Sequence, residues 1–344
     1  MNPLIWSTLI TSLLASSIIT MSSNHWLLAW FGLELNTLSI LPATTKHWHP
    51  RATEAATKYF LVQTTAATMI LLASTTNAWQ TGQWAIMHST PITTLGITMA
   101  IMLKLGAAPT HMWYPHILQG VTMNTALLIS TWQKLAPLAL LYMTHNHLNH
   151  TILLALGLLS TTIGGLAGLN QTQTRTIMAF SSIAHLGWLI TAIALSPSLT
   201  TLTMMMYMTL TTATFMPLAT TSKNMLDIGT AWPLSPTTLT ASMITLMSLG
   251  GLPPLTGFMP KWLILKEMTL TGLPLLATLL LLTTLPSLFF YIRLAYMTML
   301  TIAPATTSSE HKWRTKTTHT KYTAQMIMAS MLLLPMTTVL YATT

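Results

Sequence analysis

The sequence has no cysteine and very little charge: 14 Lys+Arg and 5 Asp+Glu in 344 residues. Without cysteine there can be no disulfide, and the usual thiolate ligands of an iron–sulfur cluster are missing. Soluble chains carry roughly a quarter charged residues, and this one has 6%, too few to keep so large an apolar chain in solution. The alternation of apolar and polar residues in short strands that a membrane β-barrel needs is also missing. What the chain does have is 51% hydrophobic residues, arranged end to end in uncharged runs of roughly 20, as a bilayer core of about 30 Å requires. The fold class is therefore all-α: one polytopic membrane domain with no room for a separate soluble one. The opening Met1–Trp6 has no Arg-rich presequence and reads as the start of the first helix.

Apolar runs and breakers predict about eleven helices, near 3–22, 25–45, 54–75, 92–110, 123–142, 149–169, 174–195, 199–220, 237–268, 274–298 and 323–343. Loops after helices 2, 6, 8 and 10, with their flanks, carry Lys46, Arg51, Lys58, Arg175, Lys223, Lys312, Arg314, Lys316 and Lys321; loops after helices 1, 3, 5 and 7 carry no Lys or Arg. This positive-inside sorting puts the N-terminus inside and the C-terminus outside. It also explains the formal charge of +9 without a nucleic-acid partner. Glu54 near Lys58 and Arg51, Asp227 near Lys223, and Glu310 near Lys312 and Arg314 read as surface pairs of small energetic value.

A few charges fall inside apolar helices, where they cost several kcal/mol unless paired or hydrated and are usually kept for function. Glu34, in Trp30–Asn36, is about ten residues from either helix end, roughly 15 Å deep. A carboxylate there is protonated or paired with a cation, unless the helix frame is shifted and Glu34 lies at a surface. Gly32 lets a second helix approach, and Asn36 can bond across that interface. Lys104 precedes Gly106 and Pro109 in Leu103–Trp113, where the helix should unwind; a plain proline kink with a snorkelling lysine is the competing reading. Lys134, in Ser130–Pro137, is too deep to snorkel. Burial disfavours the charged form of an amine, so an amine at such depth can trade its proton with the medium as an exposed one cannot. Gly250, Gly251, Pro253 and Pro254 interrupt helix 9, and Lys261 follows the break. His185, in Ser181–Trp188, is the histidine near the midplane and fits either a proton relay or a hydrogen-bonded structural role. The other histidines, including His47, His49, His145, His147 and His150, lie near ends or loops, without the facing pair a buried haem needs. No metal site is expected. Lys266, Glu267 and Arg293 match no motif.

The breaks fall fourth in helices 1–5 and fourth in helices 6–10. Each set crosses an odd number of times, so the second should be inverted relative to the first, and paired discontinuous helices mark the transport site of inverted-repeat transporters. The expected divisions are 1–147 for the first repeat, 148–300 for the second, and 301–344 for a loop and C-terminal helix.

Trp30–Asn36, Leu103–Trp113, the run Gln173–Ser182 leading to His185, and Gly250–Trp262 together resemble the proton-translocating, antiporter-like membrane subunits of mitochondrial respiratory complex I (NADH–ubiquinone oxidoreductase). The likeness covers nearly the whole chain. Its Met- and Thr-rich, cysteine-free composition also looks like an animal organelle-encoded protein. The resemblance implies two inverted five-helix bundles, a Glu34–Lys104 ion pair, Lys134 as central proton carrier, Lys261 as its counterpart in the second bundle, and His185 on the axis joining them. It implies the mitochondrial inner membrane, with "inside" being the matrix and the C-terminus in the intermembrane space. NADH and ubiquinone would be substrates of the assembly, with flavin and iron–sulfur centres in other subunits and no cofactor in this chain. Implied partners are other membrane subunits, including the antiporter-like chain 4 and small chain 4L, and a phospholipid such as cardiolipin. Eleven helices resemble the animal form, which lacks the first three of bacterial relatives and leaves the edge near helices 1–3 to a partner or lipid.

Three other classes fit parts of this pattern. A stand-alone cation/proton antiporter would share the repeat but is poorly served by so few acidic residues. A structural assembly subunit would carry idle charges. A b-type cytochrome is the remotest.

Overall fold

The computed structural model describes residues 3–45, 49–221, 224–230, 236–299 and 323–335. Lys46, His47, Lys223, Glu310, Lys312, Arg314, Lys316, Lys321 and the end of the expected last helix lie outside them. Among the described residues the regular structure is helical, apart from the isolated bridges His25–Ala85 and Gln173–Asn224. Six spans among them are long and apolar enough to cross a membrane: Pro3–Ser22, Trp26–Thr44, Met123–His147, His150–Gly168, Thr174–Leu195 and Pro274–Thr298.

The helices are α1 (Pro3–Ser22), α2 (Trp26–Thr44), α3 (Pro50–Thr81), α4 (Pro91–Leu105), α5 (Trp113–Gly120), α6 (Met123–Ser130), α7 (Trp132–Thr144), α8 (His150–Gly168), α9 (Thr174–Leu195), α10 (Pro197–Thr221), α11 (Met225–Thr230), α12 (Pro236–Gly250), α13 (Phe258–Leu270), α14 (Pro274–Met299), and a last helix, Thr323–Leu332. Proline opens α1, α3, α4, α10, α12 and α14. At a helix start its missing N–H has no intrahelical partner to lose. The many serines and threonines are accommodated by bonding back one turn, as Thr37 Oγ1 does to Glu34 O (2.7 Å) and Thr98 Oγ1 to Leu95 O (2.9 Å).

Two compact units divide the chain, Met1–Leu156 and Gly157–Thr344. In the first, α1 lies along α2, α2 along α3, and α3 along α4 and α5, while α7 packs against α4, α2 and α1. In the second, α9 is buried along most of its length and packs against α10 and α13. Gly157 and Gly187 bring α8 and α9 close: a Cβ on Gly187 would stand 2.6 Å from Gly157 O. α10 meets α12 and the last helix, and α12 lies along α14.

Each unit contains a helix that stops on a left-handed glycine. α4 ends at Gly106 (φ 72°), whose N–H reaches Leu103 O while Ala107 N–H reaches Met102 O at 3.1 Å. α12 ends at Gly251 (φ 81°), with Gly251 N–H on Ser248 O (3.0 Å) and Leu252 N–H on Met247 O (3.4 Å). Both are Schellman closures, in which a residue without a Cβ turns the chain and satisfies the last carbonyls. The expected fourth helix thus ends five residues early, and α5 follows as a separate helix.

A third interruption lies where a single helix over 123–142 was expected. α6 and α7 are separated by Thr131, at φ −110° and ψ −72°. Pro137, within α7, cannot donate to the Gln133 carbonyl one turn earlier, which weakens the helix on that side. The short helix α11, in what was expected to be a loop, is also new.

Candidate functional site: buried lysines among amides

In the first unit, α2, α3, α4, α5 and α7 converge on a small cavity of about 10 Å³, at the threshold for holding one water. Its polar lining is Asn36, Thr37, Tyr59, Gln63, Lys104, Gln133 and Lys134, with Trp113 and Tyr114 beside them. Lys104 is 6% exposed and Lys134 2%, so both amines are held out of bulk solvent. Lys104 lies in the last turn of α4, where a cation meets the negative end of the helix dipole. Gln63 Nε2 donates to its backbone carbonyl at 3.2 Å and Trp113 Nε1 to that of Leu103 at 3.1 Å, so two side chains cover the broken end. Lys134 Nζ stands 5.1 Å from the centre of the Tyr114 ring, within cation–π range.

Glu34 does not touch Lys104. Among the described residues, Glu34 Oε2 and Lys104 Nζ are both buried without a hydrogen-bond partner, and an ion pair that is made, Lys58–Glu54, lies on the surface (2.5 Å). Glu34 nevertheless lies within electrostatic reach of both Lys104 and Tyr59. The arrangement is a carboxyl group and an amine in electrostatic reach but not in contact, and an interaction at such range is stronger in low dielectric than in water.

In the second unit, Lys261 and His185 line one cavity of about 30 Å³ with Tyr207, Thr203, Gly257 and Pro260. Lys261 Nζ donates to Gly250 O at 2.8 Å, so the lysine beyond the break reaches back to cap the helix before it. His185 Nε2 is 3.3 Å from the Tyr291 hydroxyl, and its ring lies 5.8 Å from that of Tyr207. Pro253 and Pro254 fall in the seven-residue connection between Gly250 and Phe258, and Pro109 in that between Leu105 and Trp113. Arg293 Nη1 donates to Leu169 O (3.0 Å), just past the end of α8.

The structure thus groups Lys104 with Lys134 in one unit, Lys261 with His185 in the other, and sets Glu34 outside the first cavity's lining. Sequence reasoning passed over Tyr59, Gln63, Gln133, Tyr114 and Tyr291. Gln63 and Gln133 carried a usable signal, as amides in the middle of apolar runs. The tyrosines carried none, because a tyrosine in a membrane helix reads equally as interface or packing.

Residues 23–286 match the family described as NADH:quinone oxidoreductase/Mrp antiporter membrane region, and residues 288–341 the NADH dehydrogenase subunit 2 C-terminus. NADH-ubiquinone oxidoreductase chain 2 of Tetraodon nigroviridis is 52% identical over 340 residues, 98% of this chain and 97% of that one. The Xenopus laevis chain of that name is 51% identical over 316 residues, 91% of this chain and 92% of its own length. A chain of respiratory complex I from Thermus thermophilus shares the fold at TM-score 0.81 and 24% identity, covering 97% of this chain and 76% of that one. A chain of the Mrp complex from a Dietzia species does so at TM-score 0.79 and 16% identity, over 88% of this chain and 61% of that one. With both family matches and relatives at half identity spanning nearly its whole length, the chain belongs to the NADH-ubiquinone oxidoreductase chain 2 family of antiporter-like membrane proteins.

Proposed function

We propose that this chain is a proton-translocating membrane subunit of respiratory complex I in the mitochondrial inner membrane. It would couple NADH-to-ubiquinone electron transfer in other subunits, which hold the flavin and iron–sulfur centres, to proton movement through its own buried charges. Family membership supports the assembly. The observation that carries the chemistry is the cavity of the first unit, where two amines, Lys104 and Lys134, share one water-sized space with three amides and two phenols.

In this reading Lys134 is the central carrier. Its amine takes a proton from the matrix side through hydrated space and passes it on along water and polar side chains. A second positive charge on Lys104 opposes that uptake, because like charges in low dielectric disfavour each other. When the Glu34 carboxylate moves toward Lys104 it offsets that charge and favours a proton on Lys134; when it moves away the proton is released. Lys261 and His185 form the corresponding site of a second repeat, the halves being residues 1–147 and 148–300, with eleven crossings, the N-terminus in the matrix and the C-terminus in the intermembrane space. Neighbouring antiporter-like chain 4, small chain 4L and cardiolipin are the proposed partners at the edges.

Lys134→Met in the assembled complex tests this. NADH oxidation coupled to a lowered proton-to-electron ratio is expected; an unchanged ratio overturns the role of Lys134. The fold shared with the Mrp complex keeps a stand-alone antiporter as the second reading, which ion-driven proton transport by the isolated chain in liposomes would favour.

A further inference from the structure

Gln133 precedes Lys134 and ties three helices together. Its Nε2 donates to Asn36 on α2, at 3.1 Å to Oδ1 and 3.4 Å to the backbone carbonyl. Its Oε1 accepts from the Tyr59 hydroxyl of α3 at 3.2 Å. All three side chains line the cavity that Lys104 and Lys134 share. Asn36 and Tyr59 are buried, each 2% exposed, so these bonds have little competition from water and are costly to leave unmade.

Two further features place this amide at a movable point. The helix is distorted at Thr131 (φ −110°, ψ −72°), two residues before Gln133, and Lys134 N–H returns to Thr131 O at 3.3 Å, a tightened turn rather than a regular α-helical one. Pro137 leaves the Gln133 carbonyl without its helical donor. The segment carrying Lys134 thus lacks a regular backbone bond at Pro137 and is tied to α2 and α3 by the Gln133 side chain. At the other end of the link, Asn36 is two residues from Glu34 on a continuous helix, and Glu34 lies within electrostatic reach of Tyr59.

We propose that Gln133 is a positioning residue that carries the state of Glu34 to Lys134: its bonds to Asn36 and Tyr59 fix where the broken α6–α7 segment holds the amine. The link is mechanical and dipolar, and it runs alongside the through-space route by way of Lys104. It rests on the proton-translocating reading above and adds to it a residue outside the chain of charges. A shift of α2 or a change of charge at Glu34 moves the partners of the Gln133 amide, and the amide moves the residue next to it.

The test uses assembled complex in membranes, with the proton-to-electron ratio read beside the amount of complex. Gln133→Leu should lower the ratio, and adding Glu34→Gln should lower it by less than the two single losses summed, because only the through-space route by way of Lys104 still carries the signal from Glu34. Gln133→Leu also strands two buried polar groups, so assembly should fall. The triple variant Gln133→Leu, Asn36→Leu, Tyr59→Phe removes every stranded partner; it should recover assembly yet keep the low ratio. A ratio that returns to normal in the triple variant, or additive losses for Glu34→Gln and Gln133→Leu, means that Gln133 only packs, and the proposal falls. Lys134→Met measured alongside separates the two levels: a normal ratio there removes the proton-translocating reading itself. A low ratio with Lys134→Met and a normal one with Gln133→Leu removes only the link.

Discussion

At the residue scale, depth in the membrane does not by itself decide what a charge does. Lys104 and Lys134 face a cavity, whereas Arg293, five residues from the end of an expected crossing, donates from its guanidinium to Leu169 O. That carbonyl lies just beyond the end of α8, where backbone acceptors have no helical donor. A hydrogen bond from a charged group contributes about 1.5–3 kcal/mol. Arg293→Met should therefore lower the temperature at which this chain leaves the complex, with Arg293→Lys retaining part of the stability, and both should pump normally per assembled complex. A lowered proton-to-electron ratio in Arg293→Met would place the residue in the transport path instead. Glu54 is the opposite case. It pairs with Lys58 on the solvent-facing start of α3, and surface pairs of this kind contribute little. Glu54→Gln should leave both assembly and pumping unchanged, as read by native gel and by proton-to-electron ratio.

At the element scale, the interesting residues are where helices stop. Gly106 and Gly251 could be picked out in the sequence because glycine next to proline signals a break, and the two Schellman closures follow from the absence of a Cβ. The break at Thr131 could not, because no glycine or proline sits at it; Pro137, the nearest breaker, lies six residues on. The amides around the first cavity were half legible. Gln133 adjoins a lysine already singled out, but Gln63 and Tyr59 come from α3 and enter the site only through packing that no local pattern records. Alanine substitutions separate two roles of the positive-φ glycines. A left-handed backbone costs an L-residue roughly 1–2 kcal/mol, and that cost applies equally at Gly82 (φ 71°), where a Cβ meets nothing within 4 Å. At Gly251 the Cβ would stand 2.9 Å from Lys261 Nζ, so the methyl must displace the amine from its cap on Gly250 O. Both variants should assemble less well, by a similar factor. Only Gly251→Ala should also lower the proton-to-electron ratio of the complex that does assemble. Equal ratios in the two variants would mean that the Lys261 cap is structural.

At the scale of the whole molecule, composition alone separates a membrane protein from a soluble one, and the family matches agree with the resemblance carried by the four sequence segments. Which end faces which compartment rests on charge sorting, and much of that evidence, Lys312 to Lys321 above all, belongs to segments outside the described residues. The described part still offers a direct assay. With no cysteine anywhere in the chain, a single introduced thiol reports its own side without background from its neighbours in the sequence. Gln83 follows the end of α3 and is exposed; Thr53 is exposed in the first turn of the same helix. α3 has 32 residues and is about 48 Å long at 1.5 Å per residue, longer than a hydrocarbon core of about 30 Å. The two sites must therefore emerge on opposite faces if α3 crosses. Gln83→Cys should react with a membrane-impermeant maleimide in intact mitoplasts, and Thr53→Cys only in inverted particles, with the mass shift read on this chain. The reverse pattern would turn the molecule over and move the proton-entry side of Lys134 with it; reaction of both from one side would mean that α3 does not cross.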